Sequence, residues 1–221
     1  MRLFPRPGVP SLVHVFVVTL VSCAFAVPCL AQTATPADGS SLRRTVTFLA
    51  GGAAGLAMHE AGHLVTGALF GAHPGVAPLA DGPVPFFVIT HNDVTRRREF
   101  VISSSGFWVQ HVVSEWILTA RPNLAREHAP FLKGVVAFNV GTSVVYSVAA
   151  FARSGPSERD TRGMAISLGH HGTPEPFIGA LVLAPALLDG YRYFKPQSVW
   201  AKWTSRGCKV AAVLLTVASR N

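Results

Sequence analysis

Residues 50–72 read AGGAAGLAMHEAGHLVTGALFGA, a long run of apolar and small residues that contains a His-Glu-x-x-His motif. On an α-helix, side chains four positions apart leave the same face, so His59 and His63 project together. Two neutral imidazoles on one face can hold a single Zn²⁺ ion, with Glu60 close enough to act as a general base. The motif therefore predicts a zinc site; the alternative is two buried histidines beside an unrelated glutamate.

The composition is typical of a membrane protein. Of the 221 residues, 49% are hydrophobic and only 14% are charged, and the mean hydropathy is +0.37. The formal net charge is +8, but the chain lacks a basic helix or aromatic residues interleaved with basic ones, so nucleic acid is not predicted as a partner. The Lys and Arg residues lie mostly between the apolar runs, where they would meet anionic lipid. The predicted partner is the lipid bilayer.

The N-terminus resembles a secretory leader. Arginines precede an apolar run, and Cys29-Leu30-Ala31 resembles a small-x-small cleavage site. We predict a cleavable signal peptide at 1–31, followed by a linker at 32–41. A lipoprotein cut before Cys23 and an uncleaved N-terminal anchor are alternatives. A leader of this kind implies export of bacterial type and a multi-pass protein of the inner (cell) membrane.

Residues 42–221 are predicted to form one mainly α, polytopic membrane domain with four to five transmembrane helices. A small β-hairpin is expected after the first core helix, with a charged and exposed loop at 153–164. The predicted helices are 42–70, 102–120, 131–152, 177–194 and a last one at 210–218 or from about 199, and the predicted strands are 86–90 and 98–102.

A catalytic zinc site needs a third protein ligand. Thr66 and Leu69 stand where the extended motif of soluble metzincins has Gly and His, which excludes that class. Asp189 is the favoured candidate, because a carboxylate within an apolar helix needs a partner. Pro185 bends the chain just before it, and Gly190 allows close packing behind it. The alternative is an ordinary Asp at a helix end.

The motif HEAGH, the ALFG that follows and a distant Pro-x-x-x-Asp-Gly together resemble the site-2 protease family of intramembrane zinc metalloproteases. The resemblance implies that His59, His63 and Asp189 bind Zn²⁺ and that Glu60 is catalytic. It also implies that the hairpin is a membrane-associated β element. The chain departs from the family where Val182 replaces the Asn of Asn-x-x-Pro, which bears on substrate handling.

Four further polar residues in apolar helices are possible substrate contacts or supports of the site: Gln110, His111, Glu115 and Asn139. Interhelical hydrogen bonds, and an ion pair between His111 and Glu115, are the alternatives. The predicted function is a zinc-dependent endopeptidase that hydrolyses membrane proteins or peptides within or near the bilayer. A non-proteolytic membrane scaffold that retains the zinc, and a soluble zinc protease, remain open alternatives. The sequence indicates no oligomeric state.

Overall fold

The computed structural model describes residues 39–78, 87–169 and 175–218. The predicted signal peptide and most of the predicted linker lie outside these ranges. One compact unit comprises Arg44–Asn221, and the site and its supporting helices belong to it.

The described part of the chain is mainly helical, with one small antiparallel sheet after the first helix, as predicted. The helices Pro130–Ala152 and Glu175–Phe194 are long and apolar enough to cross a membrane, judged by their length and composition. The elements in chain order are α1 (Gly39–Leu69), β1 (Gly75–Pro78), β2 (Phe87–Thr90), α2 (Arg96–Ala120), a 3-10 turn (Leu124–Arg126), α3 (Pro130–Ala152), α4 (Asp160–Ser167), α5 (Glu175–Phe194) and α6 (Val199–Ala218).

The predicted hairpin is half correct. The strand predicted at 86–90 forms β2, but it pairs with β1, with Gly75 opposite Thr90 and Pro78 opposite Phe87. The segment 98–102, predicted as the second strand, is the start of α2. A helix forms there because Phe100 and Phe107 are spaced to share one helical face, which packs into the core. A local strand-like pattern was therefore overridden by tertiary packing.

The prediction of a charged and exposed loop at 153–164 is also corrected by the structure. Its second half enters the short helix α4, in which Thr161, Met164 and Ala165 are buried. Met164 and Ala165 pack with Phe100 of α2 and Ile178 of α5 in one core cluster. Apolar contacts thus dock α4 between two long helices. As a result Arg159, which directly precedes α4, is buried as well.

Helices α1 and α3 approach each other at glycines. A Cβ atom on Gly134 would lie 1.9 Å from the carbonyl oxygen of Phe48, and one on Gly51 would lie 2.0 Å from that of Phe131. Real Cβ atoms never come so close, so only glycine permits this backbone contact. Small residues at such crossings are a feature of helices that pack within membranes.

Beside their apolar core clusters, the helices bury many polar side chains inside the bundle and expose many large apolar side chains. On α6, for example, Ser205 and Lys209 are buried while Trp200 and Trp203 are exposed. Helix α2 shows the same arrangement, since His111 is buried while Val112 and Trp116 are exposed. A water-soluble domain shows the opposite arrangement.

The last helix begins at Val199, which agrees with the longer of the two predicted alternatives.

We predict that Gly134→Ala destabilises the fold, because its new methyl group collides with the backbone of α1. Overpacking of this kind costs about 1–3 kcal/mol, to be measured as a loss of unfolding free energy in detergent. Gly141→Ala on the same helix is the matched control, since nothing lies within 4 Å of its Cβ position. Equal stability of the two variants would contradict the close crossing.

Candidate metal centre

The His-Glu-x-x-His motif lies in α1, and its two histidines converge as the spacing predicts. His59 and His63 are both buried, and their Nε2 atoms are 3.2 Å apart. Two ring nitrogens at this distance face each other either across a shared proton or across a shared cation.

The carboxylate of Asp160, in the first turn of α4, completes a group of three donor atoms. Its Oδ2 atom lies 3.0 Å from Nε2 of His59 and 3.4 Å from Nε2 of His63. Bonds of about 2.0–2.2 Å to a tetrahedral zinc ion place neighbouring donor atoms about 3.3–3.6 Å apart. Among the described residues, His59, His63 and Asp160 are the group of potential ligands that converges in this way. Their spacing is close to what one zinc ion requires of its ligands.

The second ring nitrogen of each histidine differs in its surroundings. Nδ1 of His63 donates to the backbone carbonyl of Ile102 at 2.8 Å, which leaves Nε2 with its lone pair available to a metal. Nδ1 of His59 is buried without a hydrogen-bond partner in the described part of the chain. Its ring lies directly against the backbone of Gly106, where a Cβ atom would come within 2.5 Å. A glycine in α2 is therefore required for His59 to occupy this place.

Asp160 is held in position by its two neighbours in sequence. Arg159 donates two hydrogen bonds to the carboxylate of Glu175, at 2.7 and 2.8 Å. Thr161 donates to the same carboxylate at 3.3 Å. Because Arg159 and Glu175 are both buried, this bidentate pair is strong and specific in direction. We call Arg159, Thr161 and Glu175 the α4 clamp; it fixes the start of α4 to the start of α5.

The electrostatics of the centre favour an ionised carboxylate. Burial by itself would raise the pKa of Asp160, whose side chain is only 15% exposed. When His63 is protonated on both ring nitrogens, its charge and the hydrogen bonds from both histidines outweigh this effect and hold the pKa of Asp160 well below its usual range. Asp160 is therefore an anion at neutral pH, as a metal ligand must be.

Glu60 lies beside this centre on the wall of a cavity of about 500 Å³. His63 and Asp160 also line the cavity, so the candidate metal position opens into it. The strand β2 forms part of another section of the wall through residues 87–90. The predicted base, two of the three candidate ligands and a strand thus line one cavity.

Asp189, the predicted third ligand, lies in a different cluster. It is buried, and it accepts hydrogen bonds from Ser205 and from Lys209, both at 2.8 Å. We correct the sequence-based assignment accordingly: the candidate third ligand is Asp160. The reasoning that a buried carboxylate needs a partner was sound, but the partner is a lysine of α6.

Glu115 joins Asp189 in the same cluster rather than supporting the metal centre. The carboxylate of Glu115 accepts hydrogen bonds from Arg192, from Arg206 at 2.8 Å and from Lys209 at 3.0 Å. We call Glu115, Asp189, Arg192, Arg206 and Lys209 the α6 charge cluster, because it joins α6 to α2 and α5. His111 is buried near Lys209, and Glu115 pairs with these cations instead of with His111.

Gln110 and Asn139 form an interhelical contact between α2 and α3. The side-chain amide of Asn139 donates to the backbone carbonyl of Gln110 at 3.1 Å and to the hydroxyl of Ser114 at 2.9 Å. The side chain of Gln110 is buried and has no hydrogen-bond partner in the described part of the chain. Neither residue, nor His111 or Glu115, lines the cavity. Their arrangement favours the alternative interpretation as contacts between helices.

Sequence reasoning missed Asp160 and the α4 clamp. One local signal was present: an acidic residue followed by Thr161 and then by Met164, Ala165 and Ile166 is consistent with the start of a short amphipathic helix. The pairing of Arg159 with Glu175 joins residues sixteen positions apart, and no sequence pattern indicates it.

Comparisons with protein-family models, with curated proteins and with solved structures found no match for this chain. The resemblance to the site-2 protease family therefore rests on the motif residues, and the proposals below rest on the geometry of the centre.

We predict that Asp160→Ala loses bound zinc, whereas Asp189→Asn keeps it. The first change removes a donor atom of the triad; the second removes a charge from the α6 charge cluster but preserves the shape of the side chain. The measurement is zinc per protein in detergent, with about one ion expected for the native chain. Loss of zinc from Asp189→Asn with retention in Asp160→Ala would restore the original assignment.

Proposed function

We propose that this chain is a membrane-embedded zinc endopeptidase that hydrolyses peptide bonds of membrane proteins or peptides. One observation carries the proposal: the donor atoms of His59, His63 and Asp160 converge, and two of these residues, His63 and Asp160, line one cavity together with Glu60. Two histidines, one carboxylate, an open position and a neighbouring glutamate are the parts of a catalytic zinc site.

The chain's own residues divide the work of hydrolysis. His59, His63 and Asp160 would hold the zinc ion, which when bound polarises the scissile carbonyl group and lowers the pKa of water. Glu60 accepts a proton from the attacking water molecule as the new carbon–oxygen bond forms. It then gives that proton to the amine nitrogen as the carbon–nitrogen bond breaks. Glu60 thus ends the reaction as it began, in its ionised form.

The strand β2 supports a peptide as the substrate. Within the described part of the chain β2 pairs with β1 along one side, and residues 87–90 also line the cavity. An extended peptide can add to such a strand through backbone hydrogen bonds. A substrate helix must first unwind locally, because an intact helix keeps its carbonyl groups hydrogen-bonded. Pairing with β2 and local unwinding of the substrate are compatible, because the strand can offer backbone hydrogen bonds to the unwound segment.

The distribution of side chains supports embedding in a bilayer as a multi-pass protein. α3 and α5 have the length and hydropathy of membrane spans. α6 carries cations as well, but Lys209 is buried within the α6 charge cluster and exposed valine and tryptophan side chains face outward. Ionisable groups in membrane helices face the bundle interior in this way. The predicted leader would direct the chain to the inner membrane of a bacterium.

We predict that Glu60→Gln abolishes cleavage of a model transmembrane substrate while bound zinc is retained. The amide has the size of the carboxylate but cannot take the proton from water. General-base loss lowers the rate by about two to four orders of magnitude. Glu127→Gln is the control, because Glu127 pairs with Arg121 on the surface and lies outside the cavity lining.

The result of this substitution also separates the proposal from a zinc-containing scaffold. A scaffold would bind zinc natively and keep its partner interactions in Glu60→Gln, with no cleavage in either protein. Hydrolysis that is equal in the native chain and in Glu60→Gln would remove Glu60 as the base.

We also predict that the native chain stays in the membrane pellet after washing with alkaline carbonate and is released only by detergent. Exposed side chains such as Trp116, Trp203 and Leu214 would contact lipid, and their transfer to water is unfavourable. Release by carbonate would instead support a soluble zinc protease.

A further inference from the structure

The side chain of Tyr146 on α3 lines the same cavity as Glu60, His63 and Asp160. Its ring packs against that of His59, with centroids 6.2 Å apart, and edge-on against Phe107 at 5.3 Å. These two contacts fix the plane of the ring, because aromatic pairs in such geometries are favourable. Tyr146 therefore has a defined direction at the metal centre.

The polar end of Tyr146 points to the reacting part of the cavity. The carboxylates of Asp160 and Glu60 are both close enough to interact electrostatically with its hydroxyl group, and both line the same cavity. Neither the motif nor the resemblance assigns this tyrosine a role.

Hydrolysis of a peptide bond requires a hydrogen-bond donor at this place. As water adds to the carbonyl carbon, negative charge develops on the carbonyl oxygen, and a positioned donor stabilises it. Two other candidates on the cavity wall have partners: Arg159 is bound to Glu175, and His91 lies 3.3 Å from Glu99. The hydroxyl group of Tyr146 can rotate its proton toward a substrate oxygen in the cavity without any movement of the ring.

We propose that Tyr146 is a catalytic residue whose hydroxyl group donates a hydrogen bond to the scissile carbonyl oxygen as it becomes an oxyanion. This inference rests on the proposed function. Tyr146 keeps its proton throughout; the proton of the water molecule passes through Glu60 to the leaving amine. The binding of the peptide chain along β2 is independent of this hydrogen bond, so Tyr146 acts on the chemical step.

The kinetic test compares Tyr146→Phe with the native chain. Phenylalanine preserves the contacts with His59 and Phe107 and removes only the hydroxyl group. We expect kcat to fall about a hundredfold, the effect of losing one such donor, with KM nearly unchanged. Tyr191→Phe on α5 is the matched control, because Tyr191 is exposed and does not line the cavity; its kcat should equal that of the native chain.

A binding test separates a catalytic role from a structural one without relying on turnover. The probe is a peptide phosphoramidate, whose tetrahedral phosphorus group carries the negative charge of the transition state, and it is titrated into zinc-loaded protein. Tyr146→Phe should bind it about a hundredfold more weakly while its affinity for zinc stays that of the native chain. Weaker zinc binding in Tyr146→Phe would mean that the hydroxyl positions Asp160, and would overturn the proposal.

The outcomes distinguish the two proposals. A native chain that cleaves no faster than Glu60→Gln sinks the proposed function, while the phosphoramidate titration still decides whether Tyr146 is the donor. A native chain that cleaves, beside a Tyr146→Phe variant with full kcat and full phosphoramidate affinity, sinks the role of Tyr146 alone.

Discussion

The constraint on which the structure depends is that every charged side chain inside the bundle must have a partner. Removing an ion from water is so unfavourable that an unpaired charge would open the fold. The chain meets this constraint with separate groups of residues. The α4 clamp joins Arg159 to Glu175, the α6 charge cluster surrounds Glu115 and Asp189 with cations, and the third group is the metal centre itself. The bundle geometry follows from where these groups can form.

Helix α2 connects these groups. Its Gly106 allows the ring of His59 to lie against the backbone, its Ile102 carbonyl accepts a hydrogen bond from His63, and its Glu115 accepts hydrogen bonds from the cations of α6. Along 25 residues one helix therefore contributes to the orientation of both candidate histidine ligands and to the docking of the last helix. A displacement of α2 would therefore disturb the metal centre and the docking of α6 together.

The sequence predicts those parts of the fold and the site that depend on local spacing. His59, Glu60 and His63 come together because helical geometry alone decides their directions, and the long apolar helices follow from their composition. Asp189 was misassigned because a buried carboxylate signals that a partner exists without indicating which one; Ser205 and Lys209 lie sixteen and twenty positions away on another helix. Asp160 was missed because a charged segment looks exposed until its distant partner, Glu175, is known. Residues 98–102 were misassigned because a short apolar run such as Phe100-Val101-Ile102 fits either a strand or the buried part of a helix.

The separation of the candidate ligands along the chain has a mechanical consequence. His59 and Asp160 are 101 positions apart, and they belong to α1 and to the short helix α4. An ion bound by both is a cross-link that closes a loop of about a hundred residues, which reduces the entropy of the unfolded chain on the order of 4–5 kcal/mol in the loop-closure treatment of cross-links. Chelation would then do more than stop a reaction: it would remove this cross-link and loosen the attachment of the first helix to α4.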